Sequence, residues 1–178
     1  MKFKKSPLVP IALRYGLIAG VIIAVFIVLF YYIGQHPLLV FPYIDFRIIL
    51  FGVFIFFSLK EFRDTHQQGI LFFWQGMVGS YILIFVSMFI ASAAIVLFVQ
   101  IEPDFLTTFI NAKLESARSI PQEEIDNFGK ELFERNLKVI ETTNAMQLAQ
   151  TYFGNGIMIG LFVSVILSAV LRKQPKTL

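Results

Sequence analysis

Four apolar stretches, at about 15–33, 44–59, 71–99 and 156–171, divide the chain, and polar residues collect between them. An α-helix needs about 20 residues to cross a hydrocarbon core of about 30 Å. The pattern therefore predicts an all-α membrane protein with four transmembrane helices. The pattern changes in 101–153. Apolar residues there recur at helical spacing among charges, so this long connection reads as a helical insert between the third and fourth spans rather than a structureless loop. From Pro103, the residues Phe105, Leu106, Phe109, Ile110 and Leu114 share one face. Proline suits a first helical turn because its missing N–H has no intrahelical partner there. Ser119-Ile120-Pro121-Gln122 reads as the N-cap of a second helix with a reciprocating glutamine. That helix continues through Ile125, Phe128, Leu132, Val139 and Ile140, with Gly129 inside it costing about 1 kcal/mol relative to alanine. Thr142-Thr143-Asn144 breaks the stripe and reads as a cap on a short lead-in to the fourth span. The stripe needs an apolar partner. It either packs on the spans or docks another protein or a lipid head-group region.

Composition supports the membrane reading. The chain has 178 residues, 57% hydrophobic and 15% charged, with 21 phenylalanines; a soluble domain carries about 25% charge. The net charge of +3 does not point to nucleic acid, because the basic residues sit at the ends of spans. Lys2, Lys4, Lys5 and Arg14 flank the first span, Lys60 and Arg63 follow the second, and Arg172, Lys173 and Lys176 follow the fourth, whereas 34–43 has no lysine or arginine. The positive-inside rule then predicts a bacterial inner-membrane protein with both termini cytoplasmic and the insert 101–153 periplasmic. The insert holds nine acidic and five basic residues between Glu102 and Glu141. That balance disfavours attraction to anionic lipid. The first apolar run is too long for a cleaved signal peptide and lacks small residues at its end, so it reads as a retained span.

The chemistry available is sparse. The absence of cysteine removes disulfides and thiolate metal sites. His36 and His66 fall in connections predicted on opposite sides of the membrane, so no metal or other cofactor is expected. No catalytic motif is present, and the central thirds of the spans carry no ionisable residue, which argues against a proton-coupled transporter or an ion channel. Asp45 and Arg47 lie at the outer end of the second span. At spacing two they are not expected to face each other on a helix. Arg47 reads as an anchor that snorkels or pairs with Glu102 or Asp104, or as a lipid-phosphate contact. Gln75, beside Trp74, reads as an interfacial anchor. Small residues at four-residue spacing let helices approach closely in lipid. Gly16 and Gly20, Gly76 and Ser80, and Gly156, Gly160, Ser164 and Ser168 are the candidates. They predict bundle packing or a dimer seam, with the first and fourth spans in contact.

Lys60-Glu61-Phe62-Arg63-Asp64 closes the second span. It reads as a positive stop with local ion pairs, or as a cytoplasmic docking surface formed by Lys60, Phe62, Arg63 and Asp64. This block, Gly69 and Gly76 at the third span, Ile101-Glu102-Pro103 at its end, Pro121 to Glu124, and the glycine-rich run from Gly154 to Lys173 together resemble the bacterial membrane family called domain of unknown function 4199. The resemblance covers nearly the whole chain. It implies an inner-membrane protein whose genes often neighbour a family 2 glycosyltransferase acting on lipid-linked substrates. The expected function is a non-enzymatic accessory or scaffold subunit of an inner-membrane complex, in contact with membrane lipids. Its partner would be such a polyprenyl-phosphate glycosyltransferase, another membrane protein or a second copy of the chain. The alternatives are a small lipid or glycolipid translocator working as an oligomer, and an envelope-signal sensor.

Overall fold

The computed structural model describes residues 7–39 and 45–174, without the side chains of Glu124, Asn127 and Phe128. Lys2, Lys4, Lys5 and Lys176 and the start of the second apolar run at Ile44 lie outside the described residues, as does the side chain of Phe128 in the amphipathic stripe. The described chain is all helical: α1 (Leu8–Tyr32), α2 (Phe46–Glu61), α3 (Phe73–Ile101), α4 (Asp104–Arg118), α5 (Gln122–Phe128), α6 (Lys130–Glu141) and α7 (Ala145–Leu171). Three of these are long and apolar enough to cross a membrane: α1 with 25 residues, α3 with 29 and α7 with 27. The fourth expected span, α2, has 16 residues, a rise of about 24 Å. It runs without a break into a π-helical turn at Phe62–His66.

α3 is the spine of the bundle. It runs parallel to α1, with Gly16 against Leu83, Gly20 against Ser87 and Ile90, and Tyr31 against Phe98. It runs antiparallel to α7, with Gly76 against Ser168, Ile84 against Gly160 and Met88 against Gly156. α2 returns beside both flanking helices: Phe46 meets Phe26 and Phe30 of α1, and Arg47 meets Tyr152 of α7. The expected pairing of the first and fourth spans is therefore corrected. The extensive contacts of α1 and α7 are each with α3, which lies between them. A small-residue ribbon reports close approach and carries no label for its partner helix.

The amphipathic region differs from its sequence reading in four places. Gly129 adopts φ +94° and divides the expected second helix into α5 and α6. This is a left-handed conformation that other residues reach only with strain. Ser119 closes α4 instead of opening α5, and its hydroxyl donates to the Ser116 carbonyl at 2.8 Å. Pro121 stands at the α5 N-cap, where a side-chain cap is absent. Asn144 does cap a helix, but that helix is α7 itself. Its side chain accepts from the Gln147 N–H while Gln147 accepts from the Asn144 N–H, both at 2.9 Å. This reciprocal cap makes the lead-in and the fourth apolar run one continuous helix. Phe105 of α4 is fully buried among Tyr31, His36 and Phe98, so α4 is fastened to the end of α1 and α3. α6 turns Phe133, Leu137 and Ile140 inward and leaves the expected stripe residues Leu132 and Val139 exposed.

Candidate functional site

Asp45 and Arg47 form the polar centre at the α4 end of the bundle. Asp45 is the N-cap of α2 and has extended backbone, so its side chain folds over the first turn and accepts from the Arg47 N–H at 2.9 Å. The expectation that the two side chains diverge assumed that both lie inside a helix. Because Asp45 lies just outside, its carboxylate also accepts from Arg47 Nε at 2.9 Å to each oxygen and from Nη2. Arg47 does not snorkel or reach Glu102 or Asp104. It is 5% exposed and turns inward, and Nη1 donates to the Tyr152 carbonyl at 3.1 Å. Its guanidinium lies 4.1 Å from the centroid of the Tyr152 ring. A buried charge is tolerated when it is paired and hydrogen-bonded, and here Asp45, one carbonyl and an aromatic face fulfil that requirement.

A cavity of about 250 Å³ opens beside this pair, with walls from α2, α4, α7 and the residues after α1. Asp45, Arg47, Lys113, Thr151, Tyr152 and Asn155 are its polar lining. Tyr152 is buried, and its hydroxyl has no hydrogen-bond partner among the described residues. Sequence reasoning missed Lys113, Tyr152 and Asn155. Asn155, an amide set between two glycines inside a long apolar helix, was the one legible signal. Tyr152 and Lys113 become significant only when α4 and α7 meet α2.

The block at the other end divides. Glu61 receives Arg14 at 2.5 Å and the Tyr15 hydroxyl at 2.8 Å, tying α2 to α1. Lys60 is exposed and lies 5.9 Å from the Phe56 ring centroid, and Arg63 pairs with its neighbour Asp64 at 2.7 Å. That guanidinium holds the exposed Asp64 carboxyl below its ordinary value. Phe62 is fully buried, so it cannot be the apolar element of a docking surface. It is a core residue that anchors the π turn. Thr65 donates to the Glu61 carbonyl, and Gln68 and Gly69 reverse the chain with positive φ. Leu71 and Lys173 then exchange backbone hydrogen bonds at 2.9 Å in both directions, binding the start of α3 to the end of α7. Gln75 accepts from the Phe72 N–H at 3.1 Å and so caps α3, beside an exposed Trp74. His36 and His66 stand at opposite ends of the bundle.

The small residues line the seams on α3. An ideal Cβ on Gly16 would stand 2.8 Å from the Leu83 carbonyl oxygen, and one on Gly76 2.9 Å from Ser168 Cβ. Gly20, Ser80, Gly156, Gly160, Ser164 and Ser168 are likewise buried. Ser164 donates back to the Leu161 carbonyl at 2.8 Å, whereas the Ser80 and Ser168 hydroxyls have no partner among the described residues. At the outer surface of the α3/α7 seam, toward α4, lies an apolar groove of about 560 Å³. Its floor includes Ser92, Ala93 and Ala149, and its walls include Phe89, Leu97 and Phe153.

Three helices long and apolar enough to cross a membrane, packed along glycine seams, are consistent with a helical protein of the membrane class. The chain belongs to the family of proteins of unknown function DUF4199, whose family model matches residues 14–173. Comparison with curated proteins and with solved structures gave no match.

Proposed function

We propose that the protein is a non-enzymatic accessory subunit of a bacterial inner-membrane complex, and that the α3/α7 groove receives a transmembrane helix of its partner. The groove carries this reading. It is almost wholly apolar, it lies on helices long enough to cross a membrane, and its small floor residues allow a close backbone approach. The resemblance of the chain to its family makes a polyprenyl-phosphate glycosyltransferase the first partner to seek. In the bilayer, α1, α2, α3 and α7 form four spans, both termini are cytoplasmic, and α4–α6 form the periplasmic insert. The parallel course of α1 and α3 supports this arrangement, because α2 must then carry the chain back across between them.

Purification from its own membranes in mild detergent tests the proposal. The wild-type chain is expected in a complex of fixed stoichiometry, and Ala93→Trp, which fills the groove from an exposed position, is expected to release the partner while leaving the chain folded. Recovery of the wild-type chain alone, as a monodisperse monomer, would overturn the reading.

A further inference from the structure

We infer that the cavity between α2, α4 and α7 binds the phosphate headgroup of an anionic lipid, with Lys113 as the exposed cation that meets it. Charge gives the sign of the ligand. The lining holds Arg47, Lys113 and one carboxylate, Asp45. Asp45 is committed to Arg47 through the bidentate pair, and every guanidinium nitrogen already donates to Asp45 or to the Tyr152 carbonyl. Arg47 is therefore a fixed positive wall. Lys113 makes no ion pair among the described residues. It is exposed at the rim, with its ammonium 5.9 Å from the Phe109 ring centroid. The cavity thus keeps one unanswered positive charge.

A second observation comes from α7. Asn155 is exposed, has no hydrogen-bond partner among the described residues and faces this cavity from an otherwise apolar stretch. A side-chain amide at membrane depth is costly unless something meets it. Its N–H₂ group can donate to phosphate oxygens. Tyr152, whose enclosed hydroxyl has no hydrogen-bond partner among the described residues, lines the same wall.

Shape assigns the phosphate to a lipid. The lining residues of α7 run from Leu148 through Thr151, Tyr152 and Asn155 to Met158 and Ile159, about 16 Å along the helix axis. Polar groups occupy the end toward α4, and Met158, exposed on α7, marks the apolar end. A free phosphate would satisfy the first part and leave the second uncovered. A headgroup continuing into an acyl chain covers both.

The test uses the purified full chain in detergent micelles doped with phosphatidylglycerol or phosphatidylcholine, with bound lipid read by native mass spectrometry. The wild type is expected to retain the anionic lipid in preference to the zwitterionic one. Lys113→Gln and Asn155→Leu are each expected to weaken retention about tenfold, the loss typical of one charge-assisted or buried hydrogen bond. Both positions are exposed, so a fold that stays intact by circular dichroism is expected, and each variant checks the other. Lys60→Gln, which removes an exposed cation at the opposite end of the bundle, is expected to leave retention unchanged. Equal retention of the two lipids by the wild type, or wild-type retention by both cavity variants, would overturn the site. An equal loss with Lys60→Gln would do the same. Inorganic phosphate at millimolar concentration is the remaining arm. If it raises the melting temperature of the lipid-free chain as much as phosphatidylglycerol does, the lipid assignment fails in favour of a free anion.

Discussion

His36 shows how much a single residue depends on distant partners. Its ring lies 4.4 Å from the Phe105 centroid and 5.6 Å from that of Phe109. Nε2 stands 3.0 Å from the Phe105 carbonyl oxygen, which can only accept, and the Leu38 N–H points at Nδ1. The neutral tautomer with the proton on Nε2 satisfies both contacts, and a second proton on Nδ1 would oppose the Leu38 N–H. Burial lowers the His36 pKa from 6.5, against the smaller raising effect of the Phe105 carbonyl. The sign of the pH dependence follows. Above 6.5 neither state is protonated and the stability is fully present. Below 6.5 the unfolded chain takes up a proton that the folded chain resists, so stability is lost as pH falls from 6.5 through the folded value. The melting temperature in detergent is expected to drop between pH 7.5 and pH 5.5, and His36→Phe is expected to flatten that part of the profile. A variant profile as steep as the wild type would assign the acid sensitivity to another group. None of this was legible in the sequence, where His36 could be read only as unable to share a metal with His66. The stacking partner is 69 residues away, and no local pattern announces it.

Helices were more legible than their neighbours. The apolar runs located α1, α2, α3 and the greater part of α7, because burial or lipid on every side leaves a continuous hydrophobic signal. The ends were less legible. Asn144 with Gln147 extends α7 by eleven residues beyond the predicted start at 156, since a capping box can bridge from a polar segment into an apolar one. Gly129 was read as a weak point within a helix and is instead a break, because its positive φ removes it from the helical region altogether. The small residues face the seams on α3, and the expected pairing of the first and fourth spans is corrected, as periodicity gives a face and not a partner. Two glycines separate these effects. A Cβ on Gly16 would meet the backbone oxygen of Leu83 at 2.8 Å, which cannot step aside, whereas a Cβ on Gly52 would meet nothing within 4 Å. Both substitutions gain about 1 kcal/mol of helix propensity. Gly16→Ala is nevertheless expected to destabilise the protein by about 1–3 kcal/mol through overpacking, and Gly52→Ala to be neutral or stabilising. Reversible unfolding in mixed detergent micelles measures the difference between the two, which isolates the α1/α3 contact. Equal midpoints would mean that α1 does not sit against α3 as described.

For the molecule as a whole, the question is whether α2 completes a crossing. Its 16 residues rise about 24 Å, short of a core of about 30 Å. Two features favour passage. The Asp45–Arg47 pair at its start is satisfied inside the protein and does not demand bulk water, and the π turn carries the helical backbone on to His66. Bilayers also thin around short spans at a cost of fractions of a kcal/mol per Å. Packing adds a geometric constraint. α1 and α3 lie parallel from Gly16 and Leu83 to Tyr31 and Phe98, so the chain between them has to return to the side on which α1 began. The charges agree, since Arg14, Lys60, Arg63 and Lys173 gather at the end where Glu61 meets α1 and Leu71 meets Lys173, and the opposite connection 34–43 has no lysine or arginine. Charge alone leads to the expectation of alternating direction, whereas the α3 spine was not legible, because charge speaks to which end faces inward and says nothing of which helices touch. Reporter fusions decide the matter. Fusions after Asp64 and after Lys176 are expected to read cytoplasmic, and one at Gly129 is expected to read external. External signals after Asp64 and after Lys176, with a cytoplasmic one at Gly129 and a cytoplasmic N-terminus, would mean that α2 turns back within the membrane. In that case the parallel packing of α1 and α3 could not hold in the bilayer, and the α3/α7 groove would have to be redrawn with it.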